Sequence, residues 1–215
     1  MQPHAGQPVV ERGAPLADAP AAVVMVHGRN AGPANILDLV PRIDRPQLAY
    51  LAPAAAGRTW YPNSFLADIA SNEPGVSSAI AMLGDLVARI EATGIPKQRI
   101  VLVGFSQGAC LTSEFAVRHP ARYGGIAVFS GGAIGPAGTT WTPPGRFDGT
   151  PVFLGCSDQD AHVPEWRVRE TADVFSRAGA DVTLRIYPGM GHLVSDDEIA
   201  ALQRMVDVAS QNAIR

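Results

Sequence analysis

The chain switches repeatedly between two hydrophobic patterns. Short, nearly continuous apolar runs occur at AAVVMVHG (21–28), QLAYLAP (47–53), VLVGF (101–105), GIAVFSG (125–131) and PVFLGC (151–156), and DVTLRIYPG (181–189) reads as a further strand. Runs of this length, rich in β-branched residues and bounded by Gly or Pro, predict buried strands. PVVERG (8–13) predicts a weaker first strand. Between the runs, apolar residues recur every three or four positions. The clearest case is GVSSAIAMLGDLVARIEATG, where Val76, Ile80, Leu83, Val87 and Ile90 share one helical face and Gly94 with Pro96 ends the element. QGACLTSEFAVRHP (107–120), EWRVRETADVFSRAG (165–179) and DDEIAALQRMVDVAS (196–210) read as further helices, and PANILDLVPRI (33–43) as one short amphipathic helix. Strands alternating with helices imply an α/β fold, a mainly parallel sheet with helices on both faces. Two glycine- and proline-containing loops interrupt the alternation, AAAGRTWYPNSF (54–65) and GAIGPAGTTWTPPGRFDG (132–149).

The length of 215 residues suits one such domain over the whole chain, with residues 1–7 as a loose N-terminal segment and no room for a large cap domain. The formal charge is -3, with no basic stripe, so a nucleic-acid partner is not expected. Cys110 and Cys156 each lie in an apolar stretch, which points to buried thiols in a reducing compartment more than to a disulfide frame. The N-terminus lacks a basic and apolar leader pattern, and no stretch approaches a membrane span. The expected location is cytoplasmic, without stable membrane insertion.

Candidate chemistry gathers at the ends of the apolar runs. Gly104-Phe105-Ser106-Gln107-Gly108 has the Gly-x-Ser-x-Gly spelling and sits between a predicted strand and a predicted helix. That is the context of a nucleophile elbow, where a strained turn exposes a serine and flanking side chains would collide with strand and helix. The alternative is a turn serine capping the helix. A serine nucleophile needs a base and the base an orienting acid, in the order Ser, Asp, His for this type of fold. His192 follows the last predicted strand. SDQDAHVP offers Asp158 and Asp160; the expectation favours Asp160, with Asp158 holding the loop through backbone amides. The oxyanion donors would be the backbone N–H of Gln107, just after the nucleophile, and that of Arg29 in HGRN, with Gly28 letting the backbone approach.

GFSQGA, HGRNAG, SDQDAHVP and PGMGH, in this order and at these separations, resemble the phospholipase/carboxylesterase branch of the α/β-hydrolases, whose relatives include acyl-protein thioesterases. The resemblance runs from about Pro8 onward. It implies a single-domain α/β-hydrolase with Ser106 as nucleophile, Asp160 as acid, His192 as base, the amides of Arg29 and Gln107 as oxyanion hole, and no metal or organic cofactor.

Selectivity then falls to the loops, with Trp60, Tyr61, Phe65, Ile134, Trp141 and Met190 as candidate pocket walls. No cluster of charges marks an anionic-substrate site, although Arg29 is placed to touch a polar group. The expected activity is hydrolysis of short- to medium-chain carboxylic esters through an acyl-enzyme, with lysophospholipid or thioester cleavage as the alternative. A non-catalytic ligand-binding scaffold is the reading from a different class, and it has no need of Ser, Asp and His in that order. A zinc site built from His27, His162 and His192 would lack the close helical pairing of metal motifs and leave the serine elbow unexplained. The small-molecule ester is the expected partner, and GVSSAIAML with the terminal helix offers a face for a homodimer.

Overall fold

A computed structural model describes residues 2–211. Met1 and residues 212–215, which the single-domain reading included, lie outside them. Seven strands form one sheet: β1 (Val9–Gly13), β2 (Ala22–Val26), β3 (Ala49–Pro53), β4 (Ile100–Phe105), β5 (Gly125–Phe129), β6 (Pro151–Ser157) and β7 (Asp181–Tyr187). Their spatial order is β1-β3-β2-β4-β5-β6-β7. Among the described residues only β1 runs antiparallel, pairing Val9 with Pro53 and Gly13 with Ala49. The helices are α1 (Pro33–Leu37), α2 (Val40–Ile43), α3 (Gly75–Ala92), α4 (Gln107–Arg118), α5 (Glu165–Arg177) and α6 (Asp196–Gln211).

The strict alternation of side chains along buried strands splits the core into two layers. Val24, Val26, Leu102, Val128 and Leu154 point to one face, which α3, α4 and α5 cover. Val23, Met25, Val101, Val103 and Ala127 point to the other, under α1, α2 and α6. Central strands therefore read as continuous apolar runs, whereas the edge strand β1 is exposed at Val10, Glu11, Arg12 and Gly13 and gives the weaker signal.

Two expectations are corrected. The stretch 33–43 forms two short helices instead of one, because Pro41 has no N–H to offer the carbonyl of Leu37. Residues 2–7 are not loose. His4 is 2% exposed; its Nδ1 accepts from the amide of Ala56 and its Nε2 donates to the carbonyl of Trp60, while its own amide donates to Ser78 Oγ. Both cysteines are free and buried. No helix among the described residues is long and apolar enough to cross a membrane.

The sheet order reverses direction at β2 and β4: the chain winds from β2 toward β3 on one side and from β4 toward β5 on the other. A crevice opens outside the carboxyl ends of strands at such a point. Arg29 follows β2 and Ser106 follows β4, so these two loops meet there.

Candidate active site

Ser106 is the residue between β4 and α4, with φ 56° and ψ −122°. A non-glycine residue in that conformation costs on the order of 1–3 kcal/mol and persists only where its surroundings force it. Here its amide donates to the carbonyl of Phe129 and its carbonyl accepts from the amide of Cys110, at 3.0 Å each. The two glycines allow the close packing this needs. A Cβ on Gly104 would run into the backbone of Gly108 and Ala109, and one on Gly108 into the carbonyls of Val26 and His27. The Ser106 hydroxyl makes no capping bond to α4. It lies 2.8 Å from Nε2 of His192 instead.

His192 Nδ1 is 2.6 Å from Oδ2 of Asp160. The other carboxylate oxygen of Asp160 accepts from the amides of His162 at 2.8 Å and Val163 at 3.0 Å. Burial opposes ionisation of Asp160, but the bond from His192 and the two amides outweigh it and hold the carboxyl below its usual range. An ionised carboxylate can only accept, so Nδ1 carries the imidazole proton and Nε2 faces the serine hydroxyl as an acceptor. Of the two candidate carboxylates, Asp160 is thus the one that reaches the histidine. Asp158 accepts from the amide of Gly189 at 2.8 Å and Ser157 Oγ accepts from that of Gly191 at 3.0 Å. These two bonds tie the His192 loop to the end of β6. The His192 ring also packs beside Phe105 and edge-on to His162, with centroids 4.9 and 4.8 Å away.

The amides of Arg29 and Gln107 have no protein acceptor among the described residues. Gln107 opens α4, so its N–H belongs to the unpaired first turn of a helix and sits at the positive end of its dipole. Gly28 packs 3.4 Å from the Cβ of Ser106, measured from the Cβ it would carry, which brings the Arg29 backbone close to the hydroxyl. The Gly28 carbonyl accepts from Nδ1 of the buried His27, whose Nε2 accepts from the amide of Ala55. Burial pushes the His27 pKa down, so the ring stays neutral in this bridging role. With both nitrogens engaged by backbone, His27 does not join His162 and His192, and no His, Cys, Asp or Glu cluster among the described residues is placed to hold a metal ion.

A cavity of about 580 Å³ opens beside Ser106 and Gln107. Of the six expected wall residues, Tyr61 and Phe65 line it; Trp60, Ile134, Trp141 and Met190 do not. Trp60 is fully buried, its indole N–H donating to the carbonyl of His27, so it braces the site from behind. Ile134 is core. Trp141 lies against the guanidinium of Arg167, 4.7 Å from its ring centroid. Arg167 is itself buried and donates to the carbonyls of Ala133, Gly135 and Pro136, which folds the 132–149 loop onto α5 and away from the cavity. The aromatic count of that loop gave no sign of this partner.

The sequence reading missed Asn30, Asn63, Phe105, Cys110 and Val163 as wall residues. It also missed the side chain of Gln107, whose carbonyl accepts from the amide of Trp60 and whose NH2 donates to the carbonyl of Tyr61. Burial pushes the thiols of Cys110 and Cys156 up to about 12, so neither is a thiolate near neutrality.

A family model described as Phospholipase/Carboxylesterase matches residues 14–210. A crystal structure of a phospholipase/carboxylesterase from Dyadobacter fermentans is 40% identical, with a TM-score of 0.89 over 94% of this chain and 96% of that one. Acyl-protein thioesterase 1 of Eremothecium gossypii is 32% identical over 166 residues, 73% of this chain and 68% of the relative. A probable carboxylesterase of Oryza sativa subsp. japonica is 30% identical over 63% of this chain, and the match spans about half (51%) of that protein.

Proposed function

The chain belongs to the phospholipase/carboxylesterase family of α/β-hydrolases, and from that membership we propose that it is a serine carboxylesterase acting on short- to medium-chain esters. The observation that carries this reading is the chain of bonds from Asp160 through His192 to the Ser106 hydroxyl, 2.6 and 2.8 Å long. His192 Nε2 takes the hydroxyl proton as Ser106 Oγ attacks the ester carbonyl. The carbonyl oxygen becomes an oxyanion against the amides of Arg29 and Gln107. Collapse of this intermediate expels the alcohol, which receives the proton from His192, and leaves an acyl-serine. Water then attacks the acyl-serine with His192 as base, releasing the carboxylic acid. Asp160 holds the imidazole in the tautomer that both steps use and stabilises the imidazolium between them.

Acyl length is set by the cavity. Tyr61, Cys110 and Val163, all buried, form part of its wall. The name of the Eremothecium relative favours a second reading, acyl thioester cleavage, which the same serine and oxyanion amides would perform.

The test pairs a fluorophosphonate probe, with mass spectrometry of the adduct, with a series of p-nitrophenyl esters and acyl thioesters from two to sixteen carbons. Labelling of Ser106 and a kcat/KM maximum at short or medium oxygen esters is the expected result. A maximum at long-chain thioesters moves the assignment to the second reading. A chain that takes no label and cleaves nothing is a binding scaffold.

A further inference from the structure

A second cavity, of about 530 Å³, adjoins the first and shares with it the Gly28–Ala31 segment, Phe105 and His192. It touches neither Ser106 nor Gln107, and both cavities reach His192. Three arginines from separate parts of the chain border it: Arg29 after β2, Arg42 on α2 and Arg58 in the 54–65 loop. Its apolar wall is made by Ile36, Leu39, Phe105, Leu193 and Val194. Among the described residues, no Asp or Glu lines either cavity.

The charges are unequally compensated. Arg42 pairs with the exposed Asp196 at 2.7 Å. Arg29 donates to the carbonyls of Pro62 and Asn63, which fixes its position and leaves its charge unneutralised. Arg58 uses only Nε, toward the carbonyl of Ala31, and among the described residues its two terminal nitrogens have no partner. On a chain of net charge -3, the rim of the reaction centre is therefore a local positive field with free guanidinium donors. The expectation of no charged cluster fails because these arginines are 29 or fewer positions apart in sequence yet sit in three separate elements, with no run or motif to announce them.

Resting on the esterase reading, we propose that this second cavity seats the departing alcohol and selects esters whose alcohol carries an anion, a carboxylate or a phosphate, on an aromatic or short aliphatic body. The placement follows from the chemistry. His192 must hand its proton to the leaving oxygen, so the alcohol lies against His192, which both cavities border; with the acyl chain beside Ser106 and Gln107 in the larger one, the second cavity is left for the alcohol. Ile36, Leu39 and Leu193 take the body of the alcohol, and Arg58, supported by Arg29, takes its anion.

The experiment uses acetate esters of one ring system that differ only in the para group: 4-acetoxybenzoate, 4-acetoxyphenyl phosphate, the neutral methyl 4-acetoxybenzoate and the cationic 4-acetoxyphenyltrimethylammonium. Phenyl hemisuccinate carries the anion on the acyl side. The expected order of kcat/KM is anionic alcohol over neutral over cationic, with an advantage that shrinks as salt is raised. Arg58→Gln lowers the anionic-to-neutral ratio about tenfold, the scale of one lost charge-assisted bond. Whether the carboxylate or the phosphate ester leads identifies the anion. Equal rates across the charge series, a cationic preference, an equal gain from the acyl-side anion, or a ratio that ignores both salt and Arg58→Gln overturns the inference and leaves the esterase reading standing. Failure to cleave any of the esters, together with no fluorophosphonate adduct on Ser106, removes the esterase reading and the inference with it.

Discussion

The turn at Gly104–Gly108 and the loop at Thr59–Phe65 both border the larger cavity, and they are held by different means. The turn is fixed by backbone contacts with regular structure: Ser106 bonds to Phe129 on the neighbouring strand and to Cys110 one helical turn on, and two glycines let the backbones touch. The loop has no ladder. Its backbone is gathered by side chains from distant positions: Gln107 on Trp60 and Tyr61, His4 on Trp60, Arg29 on Pro62 and Asn63, and the buried Asn72 on Asn63 and Ser64. A site assembled this way separates reactivity from selectivity. Substitutions in the turn and its triad partners should act on kcat, and substitutions in the anchors of the loop on KM and stability.

The largest test of that separation is Ser106→Ala, which is expected to lower kcat by about 10⁴-fold or more while moving the melting temperature little, since alanine fits the same space at the same φ. Loss of folding in that variant would mean that the hydroxyl, and not the glycine packing, holds the turn. The two aspartates of the 157–163 loop come next. Asp160→Asn keeps the shape but no longer forces the proton onto Nδ1 of His192, and a loss of about 10³- to 10⁴-fold in kcat is expected. Asp158→Asn only weakens a loop pin, the charge-assisted bond from the Gly189 amide, so its kcat should fall by no more than about tenfold. Similar losses in both would show that loop order, not the carboxylate at His192, is what the reaction needs.

These differences also explain what the sequence could reveal. An unusual backbone demands glycines at fixed offsets, so Ser106 could be singled out from five residues set between a predicted strand and a predicted helix. Asp160 could be placed because it follows the apolar run of β6, and His192 because it follows β7, the last strand before the last helix. The sheet was legible for the same reason, with β1 weak because one edge strand has little to bury. The cavity wall was legible only in Tyr61 and Phe65. Trp60, Ile134 and Trp141 have the composition of wall residues, but what decides their position is Arg167 and the backbone of His27, contacts between segments that no local pattern encodes. His4 was hidden likewise: nothing in MQPHAGQ shows that Trp60 and Ala56 will close around it.

Gln107 sharpens the comparison because it belongs to both regions. Its backbone N–H is the proposed oxyanion donor, and its side chain holds the loop. Gln107→Ala keeps the first and deletes the second, leaving the amide of Trp60 and the carbonyl of Tyr61 without their partner. The expected outcome is a loss of about 2 kcal/mol in unfolding free energy and a rise in KM several times larger than the fall in kcat. An equal or greater fall in kcat would show that the loop tunes the oxyanion hole itself.

The smallest effect expected belongs to His4, the far anchor of the same loop, and it is read through pH. Burial pushes the His4 pKa below its ordinary value of 6.5, with the bond to the Trp60 carbonyl opposing this only in part. Below pH 6.5 the unfolded chain therefore takes up a proton at this position that the folded chain refuses. Stability supplied by the neutral ring is present above 6.5 and is lost as pH falls toward the folded value. The buried Glu198 acts in the opposite sense, since burial raises its carboxyl pKa and protonation relieves it on acidification. Only the difference between wild type and His4→Gln isolates the histidine. At pH 7 the variant should be less stable by about 1–2 kcal/mol, the scale of two altered bonds to backbone, and between pH 7 and 5.5 that gap should narrow, as measured by urea unfolding at several pH values. A gap that stays constant would mean that His4 contributes shape alone, and that the loop's anchor is indifferent to its charge.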